Sequence, residues 1–544
     1  MRAWQELADL ASYVAAVRRL LRGPVPAALA VRRLQDRLEI REQAFADLLA
    51  EAVFGEPGSP YRSLFRSAGI EHPDVVRLVR DEGLEGALRR LYDAGVRVTL
   101  ADVRAEPAAF DNPLAKKHLQ TRSGGSRSAG TPVSLDLALN DYSAGYSALF
   151  HTAFGLWGAP MAVWFPTSPA TTGLRILLTY AKLGVSVERW FSQTPLWKGG
   201  WARQAVLTEA TRITATVSGR RLPAPEHTPP ERADRVARWL AEAKARGTPA
   251  VLIPPVGAAV RVCLAAREQG LDIAGTFFRL GAEPFTPGRA AAIADAGCRA
   301  GANYYMAELG GFVGLACAAP AELDEVHLLT DKLAVIQRDK ELGRGARIGV
   351  LAYTALHPLS PKVLINLESD DYGVVTTRDC GCPIQEAGFT VHLHGIRSYE
   401  KLTSDGVTFV GGDVISLVEV VLPAAFGGAA TDYQLVEEDT DGVPGVTIVV
   451  DPRLGQIDER GVIETAFSFL RSRGRPQAMM VDLWRANGTL RVARREPYVT
   501  AAGKLPVLHV LDAERGAGAR DAGAVTGGAA ASRPDARTTG PRPG

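Results

Sequence analysis

The segment 250–296 limits the architecture more than any other part of the chain. Ala-Val-Leu-Ile-Pro-Pro at 250–255 is a short apolar run closed by prolines, as suits a buried strand. Apolar residues then recur at helical spacing over 258–268, a second strand reads from Thr276 to Leu280, and a helix from Pro287 to about Ala296. Strand and helix alternating at this length predict a largely parallel sheet with helices on both faces. Ligands on such sheets bind beyond the carboxyl ends of the strands. Two stretches fall there: the turn Gly281, Ala282, Glu283, Pro284, and Gly-Ala-Asn-Tyr-Tyr-Met-Ala-Glu-Leu-Gly-Gly at 301–311. In the second, Tyr304 or Tyr305 offers a flat face to a planar ligand and Glu308 a carboxylate to a metal–phosphate group. The plain alternative is a buried aromatic pair beside a solvated glutamate.

Around this segment the chain divides by character. Residues 1–95 read as helices, with apolar positions three and four apart through Leu7, Leu10, Val14, Val17 and Leu21 and again over 75–91; 96–101 reads as a strand. Helices are expected at 144–156 and 172–183, with an extended apolar piece at 161–165. Beyond Pro320 shorter strands are expected at 326–329, 346–351, 362–367, 373–379 and 389–396; the last places His392 and His394 on one face. After Arg397 a smaller unit carries strands at 446–450 and 489–495 around a helix at 459–470. From about Asp512 large apolar residues all but vanish, so a disordered tail is expected. The expected organisation is therefore α/β: a large N-terminal domain of mixed and parallel sheets with helices (1–396), a small mobile C-terminal α+β domain (397–512), and the tail (513–544).

Length alone calls for two or more domains, since 544 residues exceed one ordinary core. A formal charge of +2 gives no electrostatic case for nucleic acid or an anionic membrane. Five cysteines are too few and odd in number for a secreted disulfide framework, and the N-terminus has no uninterrupted apolar run, so a cytoplasmic protein is expected. The loop 121–133 gathers Ser and Thr hydroxyls, glycines and two arginines without an apolar side chain before Ala129. Such a loop either wraps phosphate or serves as a flexible linker; the Walker pattern is absent.

In order along the chain, the hydroxyl-rich loop ending Gly130-Thr-Pro, Gly-Ala-Glu-Pro at 281–284, Tyr-Tyr-Met-Ala-Glu at 304–308, Thr-Arg-Asp at 377–379, Ile-Arg at 396–397 and Gly-Lys at 503–504 resemble the motifs of the adenylate-forming superfamily, within it the phenylacetate-CoA ligase-like branch. The likeness runs over roughly residues 60–511. It implies activation of an aryl or other carboxylic acid as acyl-AMP with ATP and Mg²⁺, then transfer to coenzyme A; alternatively the acceptor is an amine or a carrier protein's phosphopantetheine, or the chain is a non-catalytic nucleotide-binding relative. The resemblance implies that Ser126, Ser128 and Thr131, in a loop with Arg127 and Gly130, hold the β,γ-phosphates; that Gly281, Ala282, Glu283 and Pro284 border adenine, with Tyr304 or Tyr305 on its face; and that Glu308 sits at Mg²⁺. Asp379 would accept the ribose hydroxyls, Arg397 would assist at the domain junction, and Lys504 would bridge the developing charge on phosphate and carboxylate. The acid pocket is expected near 142–150. Three positions depart from the pattern: Arg127 at a usual glycine, Val133 at the usual lysine, Ala307 at the usual threonine. Some relatives hold a structural zinc with Cys and His here; Cys317, His327, Cys380 and Cys382 are the corresponding candidates, four N/S ligands suiting tetrahedral Zn²⁺. Cys263 and Cys298 read as core.

Overall fold

A computed structural model describes residues 2–123, 131–167, 171–197, 202–342, 346–398, 403–404, 407–408, 411–440, 443–473, 481, 484–485, 490–500 and 503–511. Ser126, Arg127, Ser128 and Gly130, and the tail expected at 513–544, lie outside the described residues.

The 250–296 alternation forms the middle of a six-stranded sheet. Its spatial order is Pro225–His227, Arg189–Ser192, Met161–Trp164, Val251–Ile253, Phe277–Leu280 and Arg299–Ala302, with every pair parallel. Both faces are apolar, as a parallel sheet covered by helices requires. Met161 and Val163 enter one core with Leu174, Leu177 and Leu178, while Ala162 and Trp164 enter another with Val236, Leu240, Val260 and Ile293.

The second sheet has eight strands. Seven run Tyr304–Met306, Gly311–Ala316, Val326–Leu328, Val391–Ser398, Leu367–Thr377, Ala346–Ala355 and Leu333–Leu342, all pairing antiparallel, and the eighth, Val98–Thr99, pairs parallel with Leu367–Thr377. Helices Arg41–Leu49 and His72–Asp93 pack on this sheet through Phe45, Leu49, Leu88 and Leu91. Two expectations need correction here. The strand read at 96–101 is only Val98–Thr99, because Thr99 and Asp102 form a reciprocal capping box that starts a helix at Leu100. The strand read at 362–367 begins only at Leu367: Asn366 adopts φ 49° and donates its side-chain amide to the carbonyls of Leu88 and Val96.

A third, four-stranded sheet (Leu490–Arg494, Val443–Val450, Tyr433–Thr440, Leu508–Leu511) is covered by the helix Glu459–Ser472 around its own core of Leu435, Ile448, Val462, Phe467 and Trp484. It is tied to the parallel sheet by a buried ion triad. Arg289, 1% exposed, lies 2.7 Å from Glu283 and 2.8 Å from Glu419, which also accepts from Thr286. Burial opposes charge on Arg289, but Glu419 and Glu283 outweigh it and raise the guanidinium pKa. Glu283 in addition accepts the backbone N–H groups of Gly257 and Leu505, each at 2.7 Å, and Arg289 donates to the Leu505 carbonyl at 3.1 Å. Among the described residues no helix is long and apolar enough to cross a membrane.

Arg289→Met leaves two buried carboxylates without their cation. It is expected to cost about 3–5 kcal/mol in denaturant unfolding and to speed hydrogen exchange at the Leu505 amide.

Candidate active site

A single cavity of about 440 Å³ lies where the parallel sheet's strand ends meet the second sheet and the segment around Lys504. The strand Phe277–Leu280 delivers the turn 281–284 to its rim. Gly281 has no room for a side chain, since a Cβ would lie 2.4 Å from the Tyr305 ring, and Ala282 takes the left-handed φ of 72°. Glu283 reaches the lining, yet its carboxylate is engaged by Gly257, Arg289 and Leu505. Its work is to hold the Lys504 segment rather than to face a ligand.

Tyr304 and Tyr305 both line the cavity but differ in setting. The Tyr304 hydroxyl donates to Asp371 at 2.6 Å and accepts from Tyr353 at 3.3 Å; burial, then the Asp371 charge, push its pKa well up. Tyr305 leans on Phe312 with ring centroids 4.7 Å apart. Glu308 sits on the short 3₁₀ turn Ala307–Leu309, buried, with no hydrogen bond to its carboxylate among the described residues. Lys332 is close by, donating to the Leu309 carbonyl at 2.8 Å; burial brings its pKa down to about 7.

Lys504 lies in the same lining. Its backbone closes a turn with Thr500, whose N–H donates to the Lys504 carbonyl at 2.8 Å. The preceding Gly503 has φ 75° and packs on Gln193 so closely that a Cβ would overlap it. Arg397 is also present, 2.7 Å from Asp324, which additionally caps the N–H groups of Gly395 and Ile396. The structure therefore brings together Gly281 to Pro284, Tyr304, Tyr305, Glu308, Arg397 and Lys504.

Other candidates fall elsewhere. Asp379 is not at the cavity: it is exposed beside the cysteine turn and accepts from Gln385 at 2.6 Å. The acidic groups on that wall are Asp324, Asp370 and Asp371, and the last two stand immediately ahead of the expected strand at 373–379. A paired carboxylate beside Tyr372 and Gly373 was the available signal for them. Of the hydroxyl-rich loop only its base is described. Thr131 and Ser123 close a hairpin, the Ser123 N–H donating to the Thr131 carbonyl (2.9 Å) and the Thr131 N–H to the Ser123 hydroxyl (2.8 Å), and Thr121, Arg122 and Ser123 line the cavity. Thr131 itself is buried with its hydroxyl unpartnered among the described residues, and Val133 is turned into the core. From the region expected for an acid, Ser143 and Ser147 on the helix Leu139–Phe154 reach the lining.

Away from the cavity, Cys317, His327, Cys380 and Cys382 bring one donor atom each to within 4.8 Å of one another. The His327 Nδ1 lies 2.7 Å from the Phe389 carbonyl, which directs Nε2 at Cys382 (3.2 Å) and Cys380 (3.7 Å). An outer partner that fixes the ring in this way is typical of metal-binding histidines, so the donor set fits a tetrahedral ion. His392 packs against His327 with ring centroids 4.1 Å apart and lies 2.6 Å from Glu325, while His394, on the same strand face, stays half-buried.

No protein-family model matches the chain, and no curated protein matches it by sequence. Solved structures do match. GH3.15 acyl acid amido synthetase aligns with TM-score 0.50 over 92% of this chain and 96% of that one, at 10% identity. A 2-hydroxyisobutyryl-CoA ligase in complex with 2-HIB-AMP and CoA aligns over 92% and 94%, at 16% identity and TM-score 0.44. The o-succinylbenzoate coenzyme A synthetase of Bacillus subtilis, in complex with ATP and magnesium ion, aligns over 73% and 67%, at 12% identity and TM-score 0.39. By architecture, this chain shares the overall fold of that acyl acid amido synthetase.

Proposed function

We propose that the protein joins a carboxylic acid to AMP from ATP and passes the acyl group to the thiol of coenzyme A, as an acid–thiol ligase of the phenylacetate-CoA ligase-like kind. The observation that carries this reading is the convergence of Lys504 and Glu308 on one cavity walled by Gly281–Pro284, Tyr304 and Arg397. The acid's carboxylate oxygen attacks the α-phosphorus and pyrophosphate leaves; a thiolate then attacks the acyl carbon and AMP leaves. The first step builds negative charge on phosphoryl oxygens, so a fixed ammonium has its largest effect there.

In this reading Lys504 bridges the attacking carboxylate and the α-phosphate. Glu308 would hold Mg²⁺, which would supply positive charge to the phosphate oxygens. Tyr304, anchored on Asp371, faces the adenosine end, and Asp371 or Asp370 takes the ribose hydroxyls in place of Asp379. Arg397, steadied by Asp324, orients the ribose side. Ser126, Ser128 and Thr131, in the loop with Arg127 and Gly130, hold the β,γ-phosphates in this reading. Residues 397–512 act as a mobile lid, withdrawing Lys504 after adenylation. Cys317, His327, Cys380 and Cys382 hold a structural Zn²⁺. A second reading gives the acyl group to an amine; the overlay on an amido synthetase across nearly its whole length supports keeping it.

Carboxylate-dependent exchange of labelled pyrophosphate into ATP is expected with a panel of aryl and alkyl acids, and no exchange with any acid would sink the enzyme readings in favour of a nucleotide-binding relative. Lys504→Ala should lower exchange about 10²–10³-fold with ATP binding retained in calorimetry. Product analysis with coenzyme A against an amine panel separates the two acceptors. Metal analysis should find stoichiometric zinc, and Cys382→Ser should lower both zinc content and melting temperature; a zinc-free native protein removes the four-ligand assignment.

A further inference from the structure

The cavity lining includes a buried cation without a counter-ion among the described residues. Arg279 follows two phenylalanines in the strand Phe277–Leu280, is 3% exposed, and lines the cavity. Its Nη1 donates to Ser147 Oγ at 3.1 Å and to Tyr180 Oη at 2.5 Å, and its guanidinium lies between the rings of Phe150 (4.6 Å) and Phe312 (5.2 Å). Its Nε and Nη2 have no hydrogen-bond partner, and no carboxylate pairs with it among the described residues. A second guanidinium, Arg175 on the helix Thr172–Lys182, lines the same cavity and donates Nη2 to the Gly310 carbonyl at 3.0 Å, again with no ion pair among the described residues.

Neighbouring groups do not supply the missing charge. His151, 2.9 Å from Tyr180, is kept neutral: burial, then the Arg279 charge, bring its pKa down to about 3. The remaining lining here is Ser143, Thr179, Ile176 and Phe165, which offers hydroxyls and apolar surface but no acid. A desolvated guanidinium with unused N–H donors is unfavourable unless something anionic or strongly accepting meets it, and a planar fork matches a carboxylate best. Among the described residues the fold supplies no such group, which leaves it to the occupant of the cavity.

We propose that the acid pocket is built for dicarboxylic acids, one carboxylate reacting at Lys504 and the other held by Arg279 and Arg175. Arg279 stands two residues, ~7 Å of extended strand, behind Gly281. The spacer is therefore a short chain or a single ring, and Phe312, Tyr180 and Tyr305 form aromatic walls suited to either. The inference rests on the adenylation reading and narrows its substrate.

The experiment compares acids matched in all but the second charge: glutarate, phthalate and terephthalate against their monomethyl esters, in pyrophosphate exchange and in calorimetric binding. At least one diacid is expected to exceed its ester by about tenfold or more in kcat/KM. Arg279→Met should collapse that ratio toward one, and Arg279→Lys should restore part of it; a merely structural role would lower diacid and ester alike. Exchange that runs equally well with esters or simple monoacids overturns the diacid proposal and leaves adenylation standing. If no acid supports exchange, the adenylation reading fails instead. Calorimetry then decides the pocket: diacid binding lost in Arg279→Met upholds the charge-pairing site, and no diacid binding to the wild type overturns it.

Discussion

The arrangement turns on one buried carboxylate. Glu283 emerges from a strand end of the parallel sheet, and around it converge the first turn of the helix Val256–Glu268, the guanidinium of Arg289 and the amide next to Lys504. Removing any one of these would leave charge or N–H groups stranded in a dry setting, where an unmet polar group is costly. The position of Lys504 in the cavity is thus a consequence of ion pairing several residues away. Its own side chain need contribute little to the geometry that aims it.

The same cavity shows two electrostatic characters. Asp371 accepts from Tyr304 and Asp324 pairs with Arg397, whereas Arg279 sits against Phe150 and Phe312 with no carboxylate paired to it among the described residues. A ligand touching both groups would meet hydroxyl-accepting oxygens in the first and a donor fork in the second. Such polarity orients a molecule before any chemistry begins, because the reversed pose sets like charges together.

Much of this was legible before any coordinates. The middle of the parallel sheet was readable because its strands Met161–Trp164, Val251–Ile253 and Phe277–Leu280 are short apolar runs alternating with helical patterns. The strands Arg189–Ser192, Pro225–His227 and Arg299–Ala302 carry too little apolar run to be read. The capping of Leu100 by Thr99 and Asp102 was also written in the chain, yet β-branched residues at 96–99 outweighed it in a reading by composition. Asp379 shows the limit of motif spacing. Thr-Arg-Asp looks like a ligand-facing string, but the strand Leu367–Thr377 carries the chain about 20 Å beyond Asp371 before Asp379 is reached, away from the cavity. Arg279 was invisible for a different reason. An arginine in Phe-Phe-Arg-Leu reads as a surface residue on an alternating strand; only the helix packed over it, with Phe150 and Ser147, makes it an interior one.

One further consequence follows from how Leu505 is gripped. Glu283 and Arg289 seize the peptide N–H and C=O of that residue, not a side-chain functional group. Variation at position 505 among buried apolar side chains therefore leaves the grip intact, with a single chemical exception: an imino acid, which brings no hydrogen to donate. A homologous chain with proline there would have to position its lysine by some other means.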